Sequence, residues 1–537
     1  MVAAGAIAWF APPADALINL YFTPVDLARQ SEMILRLEVS PPTDHGQLPA
    51  AVISQLKGEA PRDLTLAANL TSEKVATRLK REFAGGGKQT VLLFAGDFSE
   101  AVDEGPGEDD TPIGALYVGT SWFALIKGGG GFVLSEDKFE LHTVWAGSEE
   151  MLSEATQYIL ADRRADVPTR PGVAWGQATL IGQLDGPIRE VKTIDFDGDG
   201  RPCVWVSDAG GDRFFRLNED RGECEDVTAE IAASQEAAAW LDRLRERAKR
   251  VSQAGSEVAP HGKNIEADFD NDGVADVLRA HPQGLLFFRR GEDGSYVSPV
   301  EACEFALGEG ITAMLPGDYD ADRDVDLVIG GAGGCFVFAN LGDGRFLPVL
   351  RESGEVSYNA KPNVADAFTF DVNNDGRQEF MLLYRDMDAM PFFNRGFRTF
   401  GFAFDLEMKR AKFEAAQALA AGQTAGTAAD IDGDGAQDLV LADAENRLWL
   451  IRRDDKGSRL GATVFLPRGK VGPVNVTAFD GNRCLGTRVV TATAPALFGK
   501  QIKGPIDLAW RRPGGEEVKK RIIVLGPTRF VAPAAGE

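Results

Sequence analysis

The chain has 537 residues and a mass of 57.8 kDa, with 44% hydrophobic and 26% charged residues, which excludes a disordered chain, a collagen and a coiled-coil rod. A surplus of 81 Asp and Glu over 57 Lys and Arg gives a net charge of -24. This balance argues against generic binding to nucleic acid or to anionic lipid, since both favour a positively charged protein, and it makes cations the expected partners.

The first element in chain order is an apolar segment, Met1 to Ala16, which ends in the small-residue pattern Ala14-x-Ala16. It resembles the hydrophobic region and cleavage site of a signal peptide but lacks the positive residues that open one, so a first strand is the alternative. We expect an exported protein, secreted or periplasmic. The sequence contains no apolar run of about 18 residues, so we expect no membrane span.

Residues 17–170 predict a small β-rich domain. Strand-like apolar runs occupy residues 33–39, 91–94, 115–118 and 122–126. A helix is predicted to begin after Ser72, with Val75, Leu79 and Phe83 at helical spacing. A second helix is predicted from Glu149 to about Arg164, ahead of a Pro-containing linker.

One nine-residue acidic pattern then recurs five times, roughly every 50 to 70 residues. Each copy places Asp or Asn at positions 1, 3 and 5, usually Gly at position 6, and usually a carboxylate at position 9. The oxygen-bearing side chains of the five copies are Asp195, Asp197, Asp199; Asp268, Asp270, Asp272, Asp276; Asp318, Asp320, Asp322, Asp326; Asp371, Asn373, Asp375, Glu379; and Asp430, Asp432, Asp434, Asp438. We predict these as metal ligands.

The spacing favours Ca²⁺, which takes six to eight oxygen ligands, because carboxylates at positions 1, 3 and 5 of a curled loop converge on one point. Glycine at position 6 permits the sharp turn. Solvated acidic turns are the alternative, but carboxylates this close repel one another without a cation.

An EF-hand begins in the same way, yet it needs a Glu at position 12 and flanking helices. Position 12 here is Val206, Arg279, Ile329, Leu382 or Leu441, and short apolar runs follow each loop. These runs predict buried strands, so each repeat is expected to form a small antiparallel sheet with the loop at one end. Sheets of about four strands that repeat in this way predict the blades of a β-propeller.

The repeated pattern, with closing phrases such as Ala339 to Phe346, resembles the FG-GAP/VCBS repeats of integrin-α-like propellers over residues 171–466. The resemblance implies a mainly β fold, a calcium-stabilised propeller that commonly has seven blades, and an extracytoplasmic protein that binds rather than catalyses. After residue 466, the segment from Gly481 to Gly515 partly resembles an ASPIC/UnbV domain. These C-terminal residues, 467–537, alternatively complete the last blades.

Three departures from the pattern bear on the sites. Cys203 replaces the carboxylate at position 9 of the first loop, so the first site is predicted to be the weakest, and a disulfide with Cys224 is one possibility for this cysteine. Arg323 replaces the turn glycine of the third loop, which costs about 1 kcal/mol if the backbone there is left-handed. Asn373 and Glu379 remain serviceable oxygen donors.

A helical insertion is predicted at about residues 229–255, because apolar residues recur at helical spacing after Ser234. Its arginines form the most basic stretch of the chain. An acidic partner is one interpretation, and a solvated helical face with cations near the C-terminal end is the favoured one.

The sequence contains no metalloprotease, nucleophile-elbow or phosphate-loop motif. We therefore expect a non-enzymatic binding or adhesion scaffold with a protein or glycan ligand. The alternative is a polysaccharide lyase or hydrolase built on a calcium propeller, with His261, His281 or an acidic residue as its base.

Overall fold

The computed structural model describes residues 24–96, 98, 112–119, 121–128, 130–136, 149, 152–153, 156–157, 160, 173–218, 223–259, 261–291, 294–297, 299–348, 363–385, 389–394, 400–402, 422–481 and 483–532. The segment 1–16, the linker before residue 173 and most of the helix predicted from Glu149 lie outside these ranges. No helix in the described ranges is long and apolar enough to cross a membrane.

The N-terminal part is one eight-stranded sheet in the order β2-β4-β8-β7-β6-β5-β1-β3. Its elements are α1 Pro24–Gln30, β1 Ser31–Val39, β2 Gln47–Leu48, β3 Ala50–Lys57, β4 Leu66–Ala68, α2 Glu73–Glu82, β5 Gln89–Gly96, β6 Gly114–Val118, β7 Ser121–Gly128 and β8 Gly131–Ser135. Helix α2 begins after Ser72, whose hydroxyl accepts a hydrogen bond from the Val75 N–H, and it buries Val75 and Leu79 against the sheet. The four strands and the helix predicted here are confirmed.

Five four-stranded antiparallel sheets follow, and they confirm the prediction of a mainly β fold with propeller-type blades. Their strands are β9 Trp175–Gln183; β10 Glu190–Ile194, β11 Cys203–Ser207, β12 Asp212–Asn218, β13 Glu223–Asp226; β14 Lys263–Ala267, β15 Asp276–His281, β16 Gly284–Phe288, β17 Val300–Glu304; β18 Ile311–Gly317, β19 Asp326–Gly331, β20 Gly334–Asn340, β21 Phe346–Pro348; β22 Val364–Phe370, β23 Glu379–Tyr384, β24 Met390–Asn394, β25 Phe400–Phe402; and β26 Gln423–Ala429, β27 Asp438–Asp443, β28 Arg447–Arg453. The resemblance implies seven blades; the described residues form five such sheets, and the number seven is not confirmed.

The fifth sheet is completed by the strand that precedes the first one. Strand β9 pairs with β28, so that Gln183 lies opposite Arg447 and Trp175 lies opposite Arg453. The two ends of the repeat region are thereby joined by backbone hydrogen bonds. Adjacent sheets share apolar clusters, such as the one in which Phe368 and Phe370 of the fourth sheet meet Leu439 of the fifth.

The helical insertion is confirmed as α3 Thr228–Ala233 and α4 Gln235–Gln253, with Ser234 capping α4. Trp240 of α4 packs edge-on against Phe196 of the first acidic loop, with ring centroids 5.7 Å apart, and shares an apolar cluster with Trp205 of the first sheet. Its indole N–H donates a hydrogen bond to the Lys470 carbonyl at 3.0 Å. The insertion is therefore attached both to the first sheet and to the C-terminal residues.

The C-terminal module, residues 459–532, contains two further sheets around one apolar core. Its strands are β29 Leu460–Phe465, β30 Val474–Asp480, β31 Arg483–Val490, β32 Ala496–Lys500, β33 Gly504–Arg511, β34 Glu517–Val524 and β35 Pro527–Val531. The strand orders are β32-β29-β35 and β31-β30-β33-β34, and the pair β29–β35 is parallel. Val464, Ile506 and Val524 are fully buried between the two sheets.

Candidate metal centres

The five acidic loops occupy equivalent places in the five blade-type sheets. Each loop joins the first strand of a sheet to the second, and its position-9 residue pairs with the last residue of the first strand, as in the pairs Ala267–Asp276 and Ala429–Asp438. The hairpin therefore ends where the loop begins. This placement confirms the prediction that every repeat carries its loop at one end of an antiparallel sheet.

The backbone of each loop is left-handed at positions 4 and 6. The φ angles at position 6 are 93° at Gly200, 85° at Gly273, 86° at Arg323, 90° at Gly376 and 90° at Gly435. Arg323 thus adopts the conformation that the pattern normally gives to glycine, as predicted, at a cost of about 1 kcal/mol. Position 4 of the same loop is Ala321 at 64°, a second strained residue. The double left-handed turn curls the loop so that its side chains point inward.

Backbone N–H groups fix the position-1 carboxylate in every loop. In the second loop, Asp268 accepts hydrogen bonds from the N–H groups of Asp272 at 3.0 Å and Gly273 at 2.9 Å. In the fifth loop, Asp430 accepts one from Gly435 at 3.0 Å. The carboxylates are held in place before any ligand binds.

Four of the loops bring three carboxylates together, with ligand oxygens within 4.8 Å of one another. The groups are Asp195, Asp197 and Asp199; Asp268, Asp270 and Asp276; Asp318, Asp320 and Asp326; and Asp430, Asp432 and Asp434. Asp272, Asp322 and Asp438 belong to the same loops but not to these groups. The fourth loop combines Asp371, Asp375 and Glu379 with the amide of Asn373, and its three carboxylates do not converge in this way.

Several carboxylate oxygens in these loops are buried without any hydrogen-bond partner. They are Oδ2 of Asp276, Oε1 of Glu379 and Oδ1 of Asp430. A buried polar atom without a partner costs free energy, and native proteins rarely leave one. A cation at the centre of the loop would satisfy each of them.

The raised pKa values of the loop carboxyl groups also indicate a site for a cation. Burial, followed by the repulsion of neighbouring carboxylates, raises the pKa of Asp268 to about 7 and that of Asp276 to about 8. The same causes raise the pKa of Asp430 to about 7. Without a cation these groups hold their protons to higher pH than an ordinary carboxyl group does, whereas a bound divalent ion would favour the charged form.

The first loop is built differently, because Cys203 stands at position 9. Burial raises the pKa of Asp195 although the Arg529 guanidinium, 3.0 Å from its carboxylate, opposes the shift. Cys203 and Cys224 are both free, so the disulfide considered from the sequence is not formed. The reason is geometric: Cys203 faces the cluster that contains Trp240, whereas Cys224 packs on the cluster at the opposite face of the same sheet.

A guanidinium group from the C-terminal module contacts the fourth loop. Arg488 of the C-terminal module donates hydrogen bonds to the Gly376 carbonyl at 3.1 Å and the Arg377 carbonyl at 2.9 Å, and it lies 3.4 Å from Asp371. Burial still raises the pKa of Asp371 to about 6, against the effect of Arg488. The backbone carbonyl at position 7 of this loop, that of Arg377, therefore accepts a hydrogen bond from a side chain of the module.

The C-terminal module contacts all five loops, a relationship that the sequence did not reveal. The Thr487 N–H donates to Asp318 at 3.0 Å, and the Gly499 N–H donates to Asp371 at 2.8 Å. Side chains of the module contact the other three loops: Arg529 contacts Asp195, Asn475 donates to the Asp268 carbonyl at 2.6 Å, and Arg459 contacts Asp434 at 2.8 Å. The loops thus form one face of the ring, and the module lies on that face.

Comparison with known proteins finds FG-GAP-like repeats at residues 268–329 and 318–382, which include the second, third and fourth loops. No curated protein matches the chain. This part of the chain therefore contains FG-GAP-like repeats, as the resemblance implied.

Similar solved structures are distant. The Photorhabdus luminescens Tc holotoxin pore is 12% identical over 79% of this chain, with a TM-score of 0.33, and the match spans only 21% of the toxin chain. An Agrocybe aegerita lectin that recognises non-reducing terminal N-acetylglucosamine is 12% identical over 86% of this chain and 90% of its own, with a TM-score of 0.28. The V. cholerae biofilm matrix protein Bap1 is 11% identical over 65% of this chain and 64% of its own, with a TM-score of 0.21. TM-scores this low carry no information on function.

The packing of the module on the loops predicts unequal costs for two glycine substitutions. A Cβ at Gly273 would lie 2.0 Å from the Arg512 carbonyl oxygen, whereas a Cβ at Gly198 would meet no atom closer than 3.7 Å. Both residues are left-handed. We expect Gly198→Ala to lower the free energy of unfolding by about 1 kcal/mol and Gly273→Ala to lower it by clearly more. Urea unfolding at saturating calcium measures the difference; equal losses would show that the module does not press on this loop.

Proposed function

We propose that this protein is an exported, calcium-binding β-propeller that acts as a non-enzymatic binding or adhesion scaffold. The single observation that carries the calcium assignment is the buried carboxylate oxygens without hydrogen-bond partners in the second, fourth and fifth loops. They lie where the spacing of the repeat predicts the ion. Carboxylate, amide and carbonyl oxygens form the donor set that Ca²⁺ prefers.

Calcium suits these loops better than magnesium does. The second loop offers four carboxylates, Asp268, Asp270, Asp272 and Asp276, which with backbone carbonyls supports a shell of six or more oxygens. Mg²⁺ demands a smaller octahedral shell and keeps several waters. We therefore propose that Mg²⁺ replaces Ca²⁺ poorly.

The proposed role of the ion is to stabilise both the blades and the junction with the C-terminal module. A cation would neutralise buried carboxylates that otherwise repel one another. It would also leave the outer oxygens of Asp318 and Asp371 free to accept the N–H groups of Thr487 and Gly499. Calcium binding and docking of the module would then favour each other.

The non-enzymatic part of the proposal is supported by the surroundings of the two histidines considered as bases. His261 is exposed, and the His281 imidazole Nδ1 lies 3.1 Å from the side-chain oxygen of Gln283. Among the described residues, neither histidine forms an ion pair with a carboxylate. Among the described residues, neither histidine therefore has the carboxylate partner that would orient its imidazole and raise its basicity.

The proposed ligand is a protein or a glycan outside the cytoplasm. FG-GAP-like repeats are typical of extracellular proteins, and concentrations of free Ca²⁺ there are high enough to fill sites of modest affinity. A glycan and polypeptide array, screened with calcium and with EGTA, tests this part of the proposal.

Removal of calcium is predicted to destabilise the protein. A site filled at a hundredfold excess over its Kd adds about 2.7 kcal/mol to the free energy of unfolding, and several sites act together. We expect EGTA to lower the melting temperature markedly and Ca²⁺, but not Mg²⁺, to restore it. Superimposed melting curves with Ca²⁺ and with EGTA, followed by circular dichroism, would contradict the calcium assignment.

The individual sites are predicted to differ. Asp270→Ala and Asp432→Ala each remove a central ligand from a loop with four carboxylates, so each should reduce calcium stoichiometry and stability. Asp197→Ala should have a smaller effect, because Cys203 already deprives that loop of a ligand and Arg529 already contacts Asp195. Calorimetric titration of the three variants measures stoichiometry, and equal losses would show that the number of carboxylates does not set affinity.

A further inference from the structure

A cavity of about 490 Å³ lies inside the ring of blade-type sheets. The first strand of every sheet, β10, β14, β18, β22 and β26, contributes to its wall. Residues 488–497 of the C-terminal module also line it. The volume falls within the range of pockets that hold small organic ligands.

The two ends of the cavity differ because the strands all run in the same direction. The acidic loops follow the last residue of each lining strand, so the C-terminal module closes that end. The opposite end is lined by residues near the starts of the strands, such as Glu190, Lys263, Thr312, Asp366 and Thr424. We call this end the mouth. The floor is therefore supplied by the C-terminal module, and the site is incomplete without it.

The charges at the mouth are unevenly compensated. Glu190 is paired with Lys192 at 2.7 Å. Lys263 and Arg189 also line the cavity, but among the described residues neither has a carboxylate within ion-pair distance. The Lys263 ammonium donates only to the Thr312 carbonyl. Two cations therefore face the cavity with no carboxylate in ion-pair contact among the described residues.

Two carboxylates, Asp366 and Glu190, act on Lys263 from beyond ion-pair distance. Burial raises the pKa of Asp366 to about 6, although Lys263 opposes the shift. Its carboxylate accepts a hydrogen bond from the Gly426 N–H at 3.3 Å rather than from the ammonium. Desolvation lowers the pKa of Lys263, although the residue is exposed at the mouth.

Deeper in the cavity, the wall combines apolar and polar side chains. Met314 and Phe368 are each 7% exposed and both line it, together with Leu497 from the module. The hydroxyl of Thr424 and the side-chain oxygen of Gln378 line the same space and have no hydrogen-bond partner. The cavity thus offers cations at the mouth, apolar surface inside, and two polar atoms that still lack partners.

We propose that this cavity binds one small organic anion with an apolar body, whose acidic group contacts Lys263 and Arg189 while its body lies against Met314 and Phe368. A carboxylate or a sulfonate meets the two cations, and the apolar body replaces water on the inner wall. In a protein with a net charge of -24, this local excess of cations gives selectivity for an anion that the rest of the surface repels.

The test uses the full chain at saturating calcium, with 8-anilinonaphthalene-1-sulfonate as a fluorescent anion that has an apolar body. We expect one saturable site per chain. Lys263→Gln should weaken binding about tenfold, as expected for the loss of a charge-assisted hydrogen bond, and Lys263→Glu should weaken it further. Lys503→Gln, at an exposed lysine in the turn between β32 and β33, is the matched control and should bind as the natural chain does.

Two further measurements show where the dye binds and which sign of ligand charge the cavity prefers. Thr424→Trp places a large side chain in the mouth and should abolish binding, while its melting temperature reports whether it folds. Octanoate should displace the dye and octylammonium should not. Unchanged affinity in both Lys263 variants, or equal displacement by the two competitors, would overturn the proposal. If Thr424→Trp folds and still binds the dye with the natural affinity, the dye binds elsewhere and the proposal is likewise overturned.

Discussion

The crowding of buried carboxylates on one face of the ring is the constraint on which the rest of the structure depends. Each loop must curl tightly enough to close its hairpin, and that curl brings three or four acidic groups together. Asp276, for example, is fully buried at the start of β15, and its pKa is raised to about 8. Such a face is costly for a protein unless positive charge is supplied to it.

The positive charge comes either from a guanidinium group of the C-terminal module or from a bound cation, and the loops differ in which source they use. The first and fourth loops have only three carboxylates each, and in both a guanidinium from the C-terminal module contacts the position-1 aspartate: Arg529 at Asp195 and Arg488 at Asp371. The second, third and fifth loops have four carboxylates at the ligand positions, and no guanidinium is placed on their position-1 residue among the described contacts. Arginines do contact other carboxylates of these loops, since Arg289 lies 2.7 Å from Asp270 and Arg459 lies 2.8 Å from Asp434. We infer that the position-1 aspartates of these three loops depend most on a bound ion, whereas those of the first and fourth loops are partly compensated by a guanidinium.

The sequence predicts the local features of this arrangement well. The spacing predicts that carboxylates at positions 1, 3 and 5 converge, because ligand geometry is set within nine residues; in the second loop the converging group is Asp268, Asp270 and Asp276, at positions 1, 3 and 9. The left-handed backbone at Arg323 and the helix after Ser234 are also local, and both are confirmed. What the sequence does not reveal is non-local: the pairing of β9 with β28, and the contacts of Arg488 and Gly499 with a loop more than 100 positions earlier. Nothing in the sequence around Arg488 distinguishes it from a surface arginine. The opposite orientations of Cys203 and Cys224 likewise depend on how the strands of one sheet pair.

The central claim is that calcium in the loops holds the C-terminal module on the ring. Hydrogen exchange of the strands β29 to β35, measured with Ca²⁺ and with EGTA below the melting transition, tests it most directly, because local opening of the module exposes these amides before the whole protein unfolds. The account predicts that EGTA accelerates exchange in the module and in the loops, while the N-terminal sheet, which contributes no side chain to the metal-ligand groups, exchanges at the same rate. Equal protection of the module in both conditions would contradict it.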